Sequence, residues 1–187
     1  MLGELVGNRA IRVREFSSEA IHVLERDCKI LVIEPKSINQ LLAENNEYFG
    51  HVNHSPSLRD FVPRARQVAI KRDSLLIPES NNLAPLEQFE KIEEINKDLK
   101  NKGIHGAKAV WVDAATLCQL DIQYQKIMGK KLIVGYYACS STNTSGDAFS
   151  GAGRISPNGK LVVISCSPDQ GNRFVSAVRV LEPQIAD

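Results

Sequence analysis

Apolar residues recur at helical spacing in four segments of the chain, two of them short. One short segment follows the serine pair at residues 17–18 and ends near Asp27, and the other follows Ser37. A serine before an apolar stripe is typical of a helix N-terminus, because its hydroxyl accepts a hydrogen bond from a backbone N–H group of the first turn. The pattern therefore predicts two short helices near the start of the chain.

The two longer segments predict the main helices of the protein. The first begins at Pro85 and ends at Gly103, with acidic residues early and lysines late, as the helix dipole favours. The second begins after Asp113, which is well placed to cap it, and ends before Gly129. Asp121 lies off the apolar stripe of this second helix and is expected to face solvent. The predicted buried stripes are Leu86, Phe89, Ile92, Ile95 and Leu99 in the first helix, and Leu117, Leu120, Tyr124 and Ile127 in the second.

Apolar runs and alternating segments predict the strands. Asn158-Gly159 is a typical type I′ hairpin turn between two of them. The helix after Asp113 permits a right-handed crossover that makes the strands before and after it parallel. These elements predict an α+β fold: a mixed sheet with a helix–strand–helix–strand middle and a C-terminal antiparallel meander. The predicted strands are residues 29–34, 67–71, 75–77, 108–112, 132–137, 151–155, 160–166 and 174–181.

One stretch of the chain follows neither periodicity. It carries Gly50, Pro56 and Pro63 without any regular apolar spacing, which is typical of a loop. We therefore interpret residues 51–63 as a linker or loop. It would join a small N-terminal α/β piece over residues 1–50 to a main α+β domain over residues 64–187.

Composition narrows the class of protein. The chain has 187 residues, of which 43% are hydrophobic and 24% charged, as in ordinary globular proteins. Its net charge of +1 argues against dedicated nucleic-acid binding. Its apolar runs fall short of the ~20 residues of a membrane span, and its N-terminus lacks the apolar core of a secretory signal. We expect a soluble, cytoplasmic protein without membrane association, and export by a signal-independent route stays open.

Two constellations offer catalytic chemistry. Cys139 ends a predicted strand and would be a nucleophile if a base came within hydrogen-bond reach; otherwise it is a buried small apolar residue. His51 and His54 are three residues apart, with Asp60 nearby, and would bind a metal given a third protein ligand; otherwise they are loop histidines. The four cysteines are widely spaced and are expected to be reduced and buried: Cys28, Cys118, Cys139 and Cys166.

The strongest candidate for a binding site is the uncharged, small-residue segment 140–153, broken only by Asp147 and Phe149. A polar segment of this kind does not readily bury its own backbone, so we expect a surface loop that is available to a ligand. Asn81-Asn82, before the long helix, forms a possible second edge, although capping or turn formation also explains this pair. The candidate ligand contacts are Ser140, Ser141, Thr142, Asn143, Asp147, Phe149, Asn81 and Asn82.

Residues 61–132 carry the elements Gln67-Val68-Ala69-Ile70, Leu76-Ile77-Pro78-Glu79-Ser80-Asn81-Asn82, an acidic helix with Glu87-Gln88, and then a strand and a tyrosine-bearing helix. In these elements the segment resembles an uncharacterised bacterial family. The Ser-Asn-Asn element at residues 80–82 is the most specific part of the resemblance. The family has no established activity, so the resemblance implies a fold unit and no chemistry.

Residues 136–181 carry a set of short elements in a fixed order: Tyr137 with Ser140-Ser141-Thr142, then Phe149, Asn158-Gly159 and Val178-Arg179-Val180. In these elements the segment is similar to the closing segment of C-type-lectin-like bacterial domains, which commonly bind proteins or glycans. The chain departs from these domains in having Trp111 as its only tryptophan and no obvious calcium carboxylate cluster, so the resemblance implies no specific ligand contacts.

Together these patterns predict a non-catalytic bacterial binding or interaction protein without a cofactor. It would present residues 140–153 to an unknown protein or a small polar ligand. The alternative is a small enzyme that uses Cys139 or the His51/His54 pair, and a purely structural or assembly role is a third possibility. The sequence decides neither between these functions nor on the oligomeric state.

Overall fold

The computed structural model of the protein describes residues 13–72, 74–144, 148–167 and 173–184. These residues form five α-helices, one 3₁₀ turn and nine β-strands, which confirms the predicted α+β class. The helices are α1 (Ser18–Leu24), α2 (Ile38–Glu44), α3 (Pro56–Arg59), α4 (Pro85–Asn101) and α5 (Ala114–Met128), with the 3₁₀ turn at Asn46–Tyr48. The strands are β1 (Cys28–Ile33), β2 (Phe49–Val52), β3 (Arg66–Lys71), β4 (Ala107–Val110), β5 (Tyr136–Asn143), β6 (Phe149–Arg154), β7 (Leu161–Cys166), β8 (Val175–Ser176) and β9 (Val180–Pro183).

The strands form two sheets. The first has the order β1-β3-β9-β4 and is antiparallel throughout. The second has the order β2-β7-β6-β5-β8; its two outer pairs are parallel and its two inner pairs antiparallel. The final part of the chain contributes β8 to the second sheet and β9 to the first, so the two sheets are interleaved along the sequence.

Helix α5 lies between the two sheets. It contacts β1 of the first sheet and both β5 and β6 of the second, and every residue from Ala114 to Ile122 is buried. A helix that is buried on all sides belongs to the interior of a core rather than to its surface. No helix in the described ranges, α5 included, has both the length and the apolar composition to cross a bilayer.

The position of α5 overturns two predictions. The strands before and after it, β4 and β5, belong to different sheets, so the predicted parallel crossover is wrong. Such a crossover would cover only one face of α5, whereas its buried residues are packed from both sides. The expected exposure of Asp121 is also wrong, since this residue is fully buried and pairs with Arg154 on β6.

The predicted meander is correct only in part. Strands β5, β6 and β7 are antiparallel neighbours, as expected. The predicted strand 174–181 instead divides into β8 and the start of β9, because the residues between them pair with the segment around Leu76 through a bridge to Val178. The β6–β7 hairpin is confirmed, but neither Asn158 nor Gly159 has the positive φ of a type I′ turn, so that turn type is wrong.

Local signals at the helix termini are confirmed. The hydroxyl of Ser17 accepts a hydrogen bond from the Ala20 N–H group at 3.2 Å, and Ser37 forms a capping box with Gln40. The stripe predicted for α4 is partly wrong. Ile92 and Leu99 are buried, but Leu86 is 67% exposed and Phe89 41% exposed.

The N-terminal piece predicted over residues 1–50 is, in its described part, built into the rest of the protein. Strand β1 pairs along its whole length with β3, which lies beyond the predicted linker. Within the predicted linker 51–63, Val52 ends strand β2 and Leu58 lies on α3, and both side chains are buried in the main core.

Carboxamide side chains bond to backbone groups in or next to both outer strands of the first sheet. Gln119 on α5 accepts a hydrogen bond from the Glu34 N–H group and donates one to the Glu34 carbonyl, each at 2.9 Å, just after β1. Asn96 on α4 does the same at Ala109 of β4, accepting at 2.7 Å and donating at 3.1 Å. Each carboxamide takes the place of a neighbouring peptide group, so the edges offer fewer unpaired groups to another chain.

Candidate ligand-binding cleft

Three clefts in the described surface have similar volumes, about 450, 480 and 380 Å³. The first lies between β1, α2 and α5, and the third between α1 and residues 103–106. Size does not distinguish them, but the second is the one of the three with phenylalanine and tryptophan side chains in its walls. We call it the aromatic cleft; it is lined by Phe61, Arg66, Phe89, Glu93, Asn96, residues 108–113, Ser141 and Glu182.

The aromatic cleft follows the outer edge of strand β4. Residues 108–113, which form β4 and its continuation, run along it. Phe89, Glu93 and Asn96 lie on one face of α4, because residues three and four apart in a helix are neighbours. The two hydrogen bonds between Asn96 and the Ala109 backbone hold this face of α4 against the strand. Phe61, from the segment after α3, lines the same cleft.

A row of aromatic rings borders the cleft. The Trp111 ring stacks on that of Phe149, with centroids 4.8 Å apart and planes 29° apart. On the α4 side, the Phe89 ring centroid lies 6.0 Å from that of Trp111. Both distances suit attractive aromatic pairs, so the row joins α4, the end of β4 and the hairpin β5–β6.

The charged groups on the floor of the cleft neutralise one another. Arg66, which is 8% exposed, lies with its Nε 3.0 Å from Glu182 Oε2 and donates from Nη2 to Thr116 Oγ1 at 3.1 Å. The same Nη2 lies 3.4 Å from Asp113 Oδ2. At the rim, the exposed Lys108 has its Nζ 3.7 Å from the other oxygen of Glu182. Buried charged groups are expected to be paired, and on the floor Arg66 pairs with both Asp113 and Glu182.

Asp113 is confirmed as the cap of α5. Its Oδ1 accepts a hydrogen bond from the Thr116 N–H group at 2.7 Å, and its Oδ2 accepts one from the Thr116 hydroxyl at 2.7 Å. Thr142, a predicted ligand contact, also caps the N-terminus of α5: its hydroxyl oxygen accepts a hydrogen bond from the Ala114 N–H group at 3.1 Å. Both side chains are buried and are used to hold the helix start.

The expectation of a surface loop over residues 140–153 is wrong for most of the segment. Residues 140–143 end β5, and residues 149–153 belong to β6. Ser140 and Ser150 are fully buried, and their hydroxyls hydrogen-bond to each other across the two strands. Pairing with the neighbouring strand satisfies the polar backbone that was expected to need solvent. Ser140 therefore has no surface from which to contact a ligand.

The other predicted ligand contacts are dispersed. Ser141 is exposed and lines the aromatic cleft, and Phe149 borders it through its stack on Trp111. Asn143 is exposed at the end of β5, where its carbonyl accepts a hydrogen bond from the Ser57 hydroxyl at 3.1 Å. Asp147 lies outside the described residues. Their roles as ligand contacts stay predictions.

Asn81 and Asn82 are exposed but are not part of the cleft lining. They lie in the turn before α4, where Asn82 has a φ of +62°. Asparagine tolerates this left-handed conformation better than most residues, so the turn itself explains its presence. Between Glu79 and Asn81, the buried Ser80 hydroxyl donates to the Ile77 carbonyl at 2.6 Å. It also accepts a hydrogen bond from the Ala177 N–H group at 3.0 Å, which holds the turn to the chain between β8 and β9.

The side chains proposed for catalysis lack the required surroundings. Cys139 is fully buried, and burial raises its pKa to about 12, so its reactive thiolate is disfavoured at neutral pH. The His51 and His54 rings are exposed, with centroids 6.1 Å apart, while Asp60 accepts a hydrogen bond from Asn39. Within the described ranges, no three His, Cys, Asp or Glu side chains cluster as metal ligands would.

The sequence does not predict most of the cleft. Phe61 lies in a segment whose pattern indicates a loop, and the spacing of Phe89 indicates a buried helix stripe. The residue that could have pointed to the cleft is Trp111, the sole tryptophan, at the end of a predicted strand.

Comparisons with protein-family models, with curated proteins and with solved structures find no match for this chain.

Proposed function

We propose that this protein is a non-catalytic binding protein that takes its ligand in the aromatic cleft, next to the hairpin β5–β6. The observation that carries the proposal is the exposure of two large aromatic side chains in one cleft: Phe61 is 44% exposed and Phe89 41% exposed. Exposed aromatic groups that converge on one concavity are characteristic of ligand sites.

The cleft also offers polar groups at its rim. Ser141, Glu93 and Lys108 are exposed there, whereas the polar groups of the floor are engaged with one another. Binding sites commonly combine apolar walls with a few polar groups that orient the ligand. The rim of the aromatic cleft has this composition, and its Ser141 is one of the contacts expected from the sequence.

The enzyme alternative has less support. A nucleophilic Cys139 would need access and a lowered pKa, and its burial opposes both. The histidine pair lacks a third ligand within the described residues. The proposal keeps the expectations of a bacterial, cytoplasmic protein that binds a protein or a small polar ligand.

Ligand screening by NMR tests the proposal. Uniformly ¹⁵N-labelled protein is titrated with aromatic, aliphatic and charged fragments, and the backbone and indole shifts are mapped. We expect perturbations to cluster at Trp111, Ser141 and their neighbours, and to be lost in the Phe61→Ala and Phe89→Ala variants. Perturbations that cluster in another cleft, or no perturbation by any fragment, would refute the assignment.

The matched control is Leu86→Ala. Leu86 lies on the same helix as Phe89 and is 67% exposed, but it is not part of the cleft lining. This variant should keep every fragment shift of the wild-type protein. Thermal melting of all three variants ensures that lost shifts reflect a lost site rather than unfolding.

A further inference from the structure

We infer that the aromatic cleft selects a ligand that carries an organic cation, an ammonium or guanidinium group on an apolar body. The inference rests on the proposed function and names its ligand class. It follows from the placement of Glu93 beside aromatic rings, from the charge of the lining and from the position of Phe61.

Glu93 provides a carboxylate next to an aromatic ring. Phe89 and Glu93 are four residues apart on α4, so their side chains are neighbours on the cleft-facing side of the helix. Glu93 Oε1 accepts a hydrogen bond from Asn96 Nδ2 at 3.3 Å, while Oε2 has no partner among the described residues. A carboxylate oxygen is thus available at the rim, within one helical turn of an exposed ring.

The charge of the lining disfavours an anion. Three carboxylates (Glu93, Asp113 and Glu182) and two cations (Arg66 and Lys108) line the cleft, so its net charge is negative. Arg66 is not available for an anionic ligand, because it is buried and paired with Glu182 at 3.0 Å. Lys108 is exposed at the rim, but its charge is offset by the other oxygen of Glu182, 3.7 Å away. The carboxylate left without an ionic partner among the described residues is Glu93, and its complement is a cation.

Phe61 provides a second aromatic group for the same ligand. Its side chain is 44% exposed and lines the same cleft as Phe89 and Trp111, so the three aromatic side chains border one open space. A cation attracted by ring faces, with a carboxylate at hand, fits such a space better than a neutral or anionic group.

The cation has two possible sources with the same chemistry. It can belong to a free small amine, or to a lysine or arginine side chain exposed on another protein. Two sets of probes separate these sources: benzyltrimethylammonium, and a short peptide with one central lysine. The neutral and anionic counterparts are benzyl alcohol and benzoate for the small probe, and the norleucine peptide for the other.

The test uses the sole tryptophan as reporter. Probes are titrated into the full chain while Trp111 fluorescence and its indole N–H shift are followed. We expect at least one cationic probe to bind about tenfold more tightly than its neutral and anionic counterparts. Glu93→Gln should weaken that binding about three- to tenfold, since it removes the charge and keeps the shape.

The control variant is Glu90→Gln, an exposed charge change on the same helix outside the cleft lining, which should leave the affinity unchanged.

The relative affinity of the two cationic probes identifies the source of the cation. Tighter binding of the lysine peptide than of the small amine identifies a protein ligand, and the reverse order identifies a free amine; either result supports the inference. Equal binding of neutral or anionic probes, or undiminished binding by Glu93→Gln, overturns it. In those cases the proposed function survives, because the cleft still binds. If no probe of any charge perturbs Trp111, the inference is overturned, and the fragment screen then decides the proposed function separately.

Discussion

Asp121 on α5 and Arg154 on β6 form a fully buried ion pair between the central helix and the second sheet. Both guanidinium Nη atoms donate to the carboxylate, and Nη1 lies 3.0 Å from Oδ1. Asp121 Oδ1 also accepts hydrogen bonds from the N–H groups of Leu132 and Ile133, at 3.0 and 2.9 Å. One carboxylate therefore joins α5, β6 and the chain that leads into β5.

Removing one partner of this pair should strongly destabilise the protein. Asp121→Asn leaves the Arg154 charge buried without its counter-ion, and we expect the free energy of unfolding to fall by about 3–5 kcal/mol. Urea unfolding followed by circular dichroism measures the loss. The matched control is Asp98→Asn, which breaks the exposed pair with Lys102 and should change stability by less than about 1 kcal/mol. Equal effects of the two substitutions would contradict the structural role of Asp121.

The carboxamide of Asn96 should protect the edge of strand β4. In Asn96→Ala, the Ala109 N–H and carbonyl groups lose their partner, so the Ala109 amide should exchange with solvent faster than in the wild-type protein. Hydrogen exchange followed by NMR measures the rate. Asn39→Ala, which removes only a side-chain contact with Asp60, is the control and should leave this rate unchanged. Undiminished protection in Asn96→Ala would show that the edge is covered by other means.

Gly153 should be intolerant of any side chain, because β5 approaches it closely. A Cβ atom added there would lie 2.2 Å from the Tyr136 carbonyl oxygen, and backbone cannot easily move aside. We expect Gly153→Ala to lower the free energy of unfolding by about 1–3 kcal/mol. In Gly50→Ala the nearest atoms would be 3.4 Å away, so this variant should be much less affected. Thermal and urea unfolding compare the two, and equal stability would contradict the close approach.

The buried thiols should make the protein sensitive to alkali. Burial raises the pKa of Cys139 to about 12 and that of Cys166 to about 11, above the ordinary value of 9.0. Above pH 9 the unfolded chain therefore loses protons that the folded chain retains, which favours unfolding. We expect stability to be unaffected by these groups below about pH 8 and to fall progressively from pH 9 towards pH 12.

Urea unfolding midpoints at pH 7, 9 and 10.5 check this expectation, and in a Cys139→Ala variant the stability should fall less steeply with rising pH.

The same burial implies that thiol reagents label Cys139 slowly at pH 7 unless denaturant is added. Rapid labelling of Cys139 in the native protein would contradict its burial and revive the nucleophile hypothesis.

Much of the local structure was predictable, and the arrangement of the sheets was not. The caps at Ser17, Ser37 and Asp113 were recognised because a cap depends on hydrogen bonds within three residues of itself. The partner of a strand depends instead on surfaces that are distant in sequence. The predicted crossover between β4 and β5 is wrong for this reason, because the local sequence pattern of β5 is compatible with pairing in either sheet.

The candidate site was predictable only at its border. Ser141 and Phe149 were singled out because they lie in an unusual uncharged segment, and they lie in or beside the aromatic cleft. Phe89 was missed because helical spacing shows which residues share a face and not whether another element covers that face. Only the packing of α4 against the edge of β4 leaves this ring exposed.

The amino-acid sequence by itself determined where helices begin, which segments are extended and that the protein belongs to the α+β class, because those properties depend on neighbours along the chain. The tertiary structure alone decided that α5 is central, that Asp121 finds Arg154, and that Phe61 and Phe89 share a cleft with Trp111. Burial and charge pairing are properties of surfaces brought together from distant parts of the chain, so they come into being only when both sheets close on the helix between them.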